Sequence, residues 1–89
     1  MARDRILKSD LEYLVSRLNA ATGRPQQPYE NGVANIGNYH LSWAYGGVKL
    51  HEMVTNGGGI RDVLGIGYET KRKCYEAIQH FLRGVEVRG

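Results

Sequence analysis

The sequence predicts an α+β fold: a helix, a β-hairpin, a third, shorter strand and a second helix, with an antiparallel sheet and both helices on one of its faces. Apolar side chains alternate on both sides of Gly46-Gly47, as in two strands joined by a tight turn. Apolar residues at helical spacing both precede and follow this hairpin. Because a sheet with one apolar face needs a cover, the two amphipathic segments are expected to pack on it.

Chain length and composition predict a single domain over residues 1–89. The 89 residues leave room for one hydrophobic core, and the single cysteine, Cys74, cannot form a disulfide within the chain. Modest stability and self-association as a homodimer are therefore expected. Within this domain we expect a flexible N-terminus over 1–8, a connector over 24–38 and a tail over 85–89.

Charge and hydropathy favour a cytoplasmic protein without a membrane partner. The N-terminal residues are charged, and no apolar run approaches the ~20 residues of a membrane span. The formal net charge of +3 is compatible with an acidic partner or a phosphate ligand but does not require one.

The first helix is predicted to begin at Ser9, because Glu12 three residues later would complete a capping box. Gly23 is expected to end this helix in the left-handed conformation. The residues of its apolar stripe lie at helical spacing, with Ala21 just beyond them: Leu11, Leu14, Val15 and Leu18. In the connector that follows, Asn31-Gly32 either turns a small hairpin with a strand over 33–36 or lies in a loop.

The central hairpin is predicted to pair residues 38–45 with residues 48–55 around a two-residue turn at Gly46-Gly47. The apolar face would contain these pairs: Tyr45–Val48, Trp43–Leu50, Leu41–Glu52 and Tyr39–Val54. The opposite face would contain these: Ala44–Lys49, Ser42–His51 and His40–Met53. We expect the helices to cover the first face and to leave the second open to solvent or to a partner.

Residues 60–67 favour a third, shorter strand over a loop, and Gly65 and Gly67 would mark a bulge or a close backbone approach. The glycine run at 57–59 lacks the GK[ST] ending of a phosphate-binding P-loop. It is expected to form either a wide turn or a mobile loop that a ligand approaches. Arg61 would contact a ligand there.

The second helix is predicted to run from Thr70, its cap, to Arg83, with Gly84 as its stop. Its core stripe consists of Cys74, Ala77, Ile78, Phe81 and Leu82. The residues after Gly84, VEVRG, either fray or add an edge strand.

An anion site is indicated at the start of this helix. Three cations lie in the first turn, where backbone N–H groups are unpaired and the helix dipole is already positive. A phosphate or carboxylate would offset this unfavourable placement. The candidate site consists of Thr70, Lys71, Arg72 and Lys73, with Arg61 from the glycine-rich loop. The alternative is a solvated basic turn that contributes only solubility.

The second candidate site is the open face of the hairpin, where four polar side chains are expected to face a partner: His40, Ser42, Lys49 and His51. Ser42 and His51 would lie opposite one another, but no acid is placed to orient the histidine and a flat sheet offers no oxyanion pocket. Two histidines without a third ligand do not make a metal site. We therefore expect a protein that is not an enzyme and that needs no cofactor or metal.

Two stretches resemble small phage-encoded accessory proteins: NIGNYHLSWAYGGVKLHEMVTNGGGIRDVL and TKRKCYEAIQHFLRG. The first shares with those proteins a Tyr-Gly-Gly hairpin and an Asn-x-Gly-Gly turn, and the second shares a terminal helix with an early basic residue. The likeness covers most of residues 7–84. It implies an accessory protein that acts in the host cytoplasm on the host or its defences, without implying a particular activity.

The order of helix, three strands and helix is also similar to a double-stranded-RNA-binding domain. The positions that match Lys71, Arg72 and Lys73 would hold phosphates across a groove in that family. The chain lacks the family's Gly-Pro-x-His loop, since Gly46-Gly47 is too short to reach a second minor groove, and its last helix is not alanine-rich.

The sequence therefore predicts a non-enzymatic binding module, a phage accessory protein that binds a host or defence protein or captures a small phosphorylated ligand. The alternative is a nucleic-acid-binding protein that uses the basic start of the second helix. Binding of nucleic acid would weaken steeply between low and moderate salt, whereas binding of a protein partner would depend on salt only modestly.

Overall fold

Two helices and two small antiparallel sheets form the protein, and this arrangement confirms the predicted α+β class. The computed structural model describes residues 5–88; residues 1–4 of the predicted flexible N-terminus and Gly89 of the predicted tail lie outside this range. The elements are α1 (Lys8–Ala21), β1 (Tyr29–Glu30), β2 (Val33–Ala34), β3 (Tyr39–Ala44), β4 (Gly47–Met53), β5 (Ile60–Asp62) and α2 (Lys71–Arg88). β1 pairs with β2, and the larger sheet has the strand order β3-β4-β5.

The α1 helix begins earlier than predicted, so that Ser9 lies inside its first turn. Leu7 occupies the cap position, and its N–H donates to the Asp10 carboxylate, with 2.8 Å between Leu7 N and Asp10 Oδ2. The predicted capping box of Ser9 and Glu12 is wrong because Asp10 already supplies the carboxylate that accepts the cap N–H. At the other end, Gly23 has a φ of +68°, which confirms the left-handed stop.

The connector contains the small hairpin that the sequence left open. Asn31 and Gly32 have positive φ values of 53° and 80°, typical of a two-residue type I′ turn. Two pairs of residues flank the turn: Tyr29 with Ala34 and Glu30 with Val33. The strand after the turn is therefore shorter than the range 33–36.

The β3–β4 hairpin turns at Tyr45-Gly46, one residue before the predicted turn, and both turn residues are left-handed, with φ values of 54° and 72°. Each β3 residue therefore faces a β4 residue two positions earlier than predicted: Tyr39–Glu52, His40–His51, Leu41–Leu50, Ser42–Lys49, Trp43–Val48 and Ala44–Gly47. Gly47 instead lies where β4 passes close to the backbone of Glu69, since a Cβ there would lie 2.9 Å from the Glu69 carbonyl oxygen. Because the shift is even, both sets of side chains remain on their predicted faces.

The third strand exists only over Ile60–Asp62, where it pairs with β4. Beyond it, the Asp62 carboxylate accepts the N–H groups of Gly65 at 3.0 Å and Gly67 at 3.3 Å. The prediction of a strand through residue 67 is wrong because this carboxylate takes backbone N–H groups that a strand would pair with its neighbour.

Both helices pack on the predicted apolar face of the sheet. The buried core consists of Leu11, Leu14, Val15, Leu18, Tyr39, Val48, Leu50, Cys74, Ile78 and Leu82. Trp43 and Tyr45 are exceptions, with 41% and 94% of their surface exposed. Their predicted place in the core is wrong because the hairpin tip extends past the start of α1, where Lys8 Nζ lies 5.7 Å from the centre of the Trp43 ring.

The α2 helix continues through Gly84, so the predicted stop there and the predicted non-helical tail are wrong. A glycine inside a helix costs only about 0.5–1 kcal/mol relative to alanine. In the additional turn Val85 packs against the core, and Arg17 Nη2 of α1 lies 2.9 Å from Glu86 Oε2. At its start, the Thr70 hydroxyl accepts the Lys73 N–H at 3.2 Å, which confirms the predicted cap.

The opposite face of the β3–β4 hairpin is less open than predicted. His51 is 5% exposed and Met53 is 1% exposed. Tyr68, from the loop before α2, lies against this face: its hydroxyl is 2.9 Å from Ser42 Oγ, and its ring centre is 4.5 Å from Lys49 Nζ. The prediction of an open face is therefore wrong for the part that β4 contributes.

Candidate protein-binding site

One side of the β3 backbone faces away from the larger sheet, because β3 is an edge strand. Val48, which lies opposite Trp43, exchanges hydrogen bonds of 2.9 and 3.0 Å with Glu69 on the far side of β4. Trp43 and Val48 are therefore a non-hydrogen-bonded pair, as are Leu41 and Leu50 two residues along. The N–H and C=O groups of Leu41 and Trp43 consequently point outward, away from β4.

A buried side chain closes one end of this edge. Asn19 of α1 is 1% exposed. Its Nδ2 donates to the Tyr39 C=O at 3.0 Å, and its Oδ1 accepts the Tyr39 N–H at 2.9 Å. The amide thus occupies the place of a neighbouring strand. No group within residues 5–88 does the same for the outward backbone of Leu41 and Trp43.

A groove of about 430 Å³ runs along this edge. α1 forms one wall and is antiparallel to β3, since Lys8 lies at Trp43 and Asn19 lies at Tyr39. The groove is lined by Lys8, Glu12, Val15, Ser16 and Asn19 of α1, by Gln26 and Gln27 of the connector, and by Tyr39, His40, Leu41 and Trp43 of β3. Its walls are thus mainly polar, and its β3 side combines open backbone groups with apolar side chains.

A network of charged side chains fixes the connector to the sheet near Tyr39. Arg24 Nη1 lies 2.5 Å from Glu52 Oε2 and 3.0 Å from the Gly37 carbonyl oxygen, and the guanidinium lies 4.5 Å from the centre of the Tyr39 ring. Arg61 Nη2 lies 2.6 Å from Glu52 Oε1. Burial acts to raise the pKa of Glu52, but the hydrogen bonds from Arg24 and Arg61 outweigh it and hold this pKa below its ordinary value.

The structure does not bring Arg61 to the start of α2. Arg61 and Glu69 pair with β4 residues that are four positions apart, a separation of about 13 Å along the strand. The Thr70 hydroxyl is occupied by its own helix, and Lys73 Nζ lies 3.8 Å from Glu69 Oε1. The cations of this turn are exposed: Lys71, Arg72 and Lys73. Of the predicted anion site, only the residues at the start of α2 therefore lie together, without Arg61.

The four predicted face residues do lie together, in a different pairing. His40 faces His51, and Ser42 faces Lys49. The two imidazole rings meet edge to face with their centres 5.6 Å apart, and burial lowers the pKa of both. Ser42 Oγ bonds to the Tyr68 hydroxyl rather than to a histidine. Within residues 5–88, no three side chains of His, Cys, Asp or Glu gather as metal ligands.

Of the groove residues, the sequence predicts only His40 as part of a site. Asn19 did leave a signal, because it lies four residues after Val15 and therefore on the buried side of the first helix. A polar side chain in that position must find hydrogen-bond partners. The open edge itself leaves no local signal, because it depends on which strands pair across the whole chain.

Comparisons with protein-family models, with curated proteins and with solved structures found no match to this chain. Neither helix among residues 5–88 is both long enough and apolar enough to cross a membrane. Since no known protein matches, the function of the groove at the β3 edge is inferred from its geometry.

Proposed function

We propose that the protein is a non-enzymatic binding module that binds an extended segment of a partner protein as an additional strand on β3. The observation that supports this proposal is the outward, unpaired backbone of Leu41 and Trp43 beside a groove. Strand addition is a recurring mode of recognition in which main-chain hydrogen bonds supply affinity and side-chain contacts supply specificity. The resemblance to phage accessory proteins favours a host or defence protein as the partner, in the host cytoplasm.

The groove is well suited to such binding in energetic terms. A segment that pairs with both residues would form four backbone hydrogen bonds, each contributing about 0.5–1.5 kcal/mol net. It would also cover the Trp43 indole, which is 41% exposed. Because Asn19 and Arg24 already hold the walls in place, binding would require little further ordering.

Peptide display from a random library tests the proposal. The wild type would be compared with Leu41→Pro, which removes an outward N–H but no hydrogen bond to β4. Leu41→Val is the matched control, and thermal unfolding would establish that both variants are folded. We expect selected peptides to bind the wild type and Leu41→Val equally, and Leu41→Pro at least about tenfold more weakly. Undiminished binding to folded Leu41→Pro would contradict strand addition.

The homodimer that the sequence predicts is one form of the same proposal, with a second copy as the partner. Two β3 edges would then pair in an antiparallel manner across a two-fold axis. Size-exclusion chromatography with light scattering measures this directly. A wild-type dimer that becomes a monomer in Leu41→Pro would identify the second copy as the occupant of the edge.

A second candidate function is the binding of nucleic acid or of a small phosphorylated ligand at the hairpin tip. The observation that favours it is a cation beside each of two aromatic rings near this tip: Lys8 Nζ lies 5.7 Å from the centre of the Trp43 ring, and Lys49 Nζ lies 4.5 Å from that of the Tyr68 ring. The basic start of α2 follows directly after Glu69, which pairs with Val48 of the hairpin. Cations beside exposed aromatic rings are typical of sites for single-stranded nucleic acid. A steep decrease of affinity with salt would distinguish this function from strand addition.

A further inference from the structure

The α1 wall of the groove presents two opposite charges in a fixed order. Lys8 lies at the Trp43 end, and Glu12 lies one turn further toward the Tyr39 end. Within residues 5–88, neither side chain forms an ion pair. Both charges therefore face the groove without a partner of opposite sign.

This placement does not benefit the helix itself. A cation in the first turn opposes the helix dipole. A lysine four residues before a glutamate is also the less favourable order for an ion pair along a helix. Residues that break the local preferences of their own helix favour a role in contacts outside it, and Lys8 extends to the Trp43 ring in the groove.

We propose that the segment bound at β3 contains an acidic side chain followed, two residues later, by a basic one, and that it runs antiparallel to β3. This inference rests on the proposed function. Every pairing in the larger sheet is antiparallel, and antiparallel pairs are slightly the more stable. A segment in this direction passes Trp43 first and Leu41 second.

The spacing of the two charges matches that of a strand. Lys8 and Glu12 are about 6 Å apart along α1, and same-face residues of a strand are about 6.8 Å apart. Residues directly opposite one another in a sheet share a face. The incoming residue opposite Trp43 therefore faces Lys8 and is acidic, and the residue opposite Leu41 faces Glu12 and is basic.

The neighbouring positions limit the length of the recognised segment. The residue between the two charges lies opposite Ser42 and shares the face of the half-buried Ser42 and His40, so a small or polar side chain fits there. At the next pairing position, Asn19 already occupies the Tyr39 backbone. Pairing therefore ends after the basic residue.

Two capped seven-residue peptides of identical composition test the charge order. One has Glu at its third position and Arg at its fifth, the other has these two exchanged, and both have Thr at every other position. Each peptide would be titrated into the ¹⁵N-labelled wild type and into the double variant Lys8→Glu with Glu12→Lys, which keeps the net charge. The readout is the shift of the Leu41 and Trp43 amide signals.

We expect the wild type to bind the Glu-first peptide about five- to tenfold more tightly than the Arg-first peptide, and the double variant to reverse this preference. The preference should shrink at about 0.5 M salt, because exposed charges are screened there. If both proteins bind both peptides equally through these two amides, the charge order is wrong while strand addition stands. If neither peptide shifts these amides at millimolar concentration, strand addition fails, and the proposed function fails with it.

Discussion

The side-chain amide of Asn19 pairs with the backbone of Tyr39 as a strand would, through hydrogen bonds of 3.0 and 2.9 Å. This one contact joins α1 to β3 and sets the point at which the exposed edge of β3 begins. The same pair of residues therefore stabilises the fold and limits the length of the exposed edge.

Replacement of Asn19 with leucine should lower the free energy of unfolding by about 2–4 kcal/mol. The buried N–H and C=O groups of Tyr39 lose their partners, and each unsatisfied group costs about 1–3 kcal/mol. Urea denaturation measures the change. Asn35→Ala is the control, because the exposed Asn35 amide donates only to the Gln27 C=O; a loss of less than about 1 kcal/mol is expected there. An equal loss in both variants would contradict the structural role of Asn19.

Amide hydrogen exchange should distinguish the two sides of β3. The N–H groups of Leu41 and Trp43 point outward, whereas those of His40 and Ser42 pair with β4. We expect the first two to exchange at least about tenfold faster, as measured by NMR on the free protein. Equal protection of all four amides at low protein concentration would mean that the edge is already covered.

Gly47→Ala should destabilise the protein, because its Cβ would lie 2.9 Å from the Glu69 carbonyl oxygen and 3.3 Å from the Glu69 nitrogen. Backbone atoms cannot move aside as a flexible side chain can, so we expect a loss of about 1–3 kcal/mol. Gly57→Ala is the matched control, since a Cβ at Gly57 meets nothing within 4 Å. Thermal unfolding compares the two. If Gly47→Ala were as stable as Gly57→Ala, the hairpin tip would not be packed against the start of α2.

Stability should decrease as the pH falls below about 6.5, the ordinary pKa of histidine. Burial, followed by the charge of Lys49, lowers the pKa of His51 in the folded chain. Between the folded and the unfolded pKa, the unfolded chain therefore binds more protons than the folded chain. The contribution of His51 to stability is fully present above about pH 6.5 and is lost as the pH falls through the lower, folded pKa.

The variant His51→Gln should reduce this dependence between about pH 7 and pH 5, with a remainder from His40, whose pKa is also lowered by burial. His80→Gln, at an exposed position on α2, is the control and should leave the dependence in place. Urea denaturation at a series of pH values provides the measurement. An unchanged slope in His51→Gln would rule out His51 as its source.

The second candidate function has its own test. Lys71→Glu combined with Arg72→Glu should weaken the binding of short single-stranded or duplex nucleic acid at least about tenfold at low salt. The reason is that two positive charges that would attract phosphates at the basic turn become negative. Fluorescence anisotropy measures the binding, and Arg83→Glu near the other end of α2 is the control. Undiminished binding by the double variant would show that the basic turn is not the site.

Local periodicity predicted the helices and the faces of the sheet well. The apolar stripe that contains Leu11 and Leu18 is buried as expected. So are three residues of the second stripe, whose other two members, Ala77 and Phe81, are half-buried: Cys74, Ile78 and Leu82. These assignments succeed because a helix or a strand places its side chains at a fixed interval, whatever it packs against.

Two failures are local, because Asp10 rather than Glu12 accepts the cap N–H of α1 and Asp62 accepts N–H groups from the loop after β5. The other failures come from contacts between distant residues. A tyrosine is an unusual choice for a left-handed position, and Tyr45 takes it because Gly47 is needed against Glu69. The α2 helix passes through Gly84, and beyond it Val85 packs against the core while Glu86 reaches Arg17 on α1. The β3 groove was missed for the same reason, since its walls come from three separate parts of the chain.

The short length of the exposed edge has a consequence for the behaviour of concentrated protein. Asn19 closes one end and the Tyr45-Gly46 turn closes the other, so that among the described residues two positions of β3 can pair outward. Cross-β fibrils are built from segments of about six or seven residues. The chain can thus display a strand edge to another molecule while offering too short a template for fibril growth.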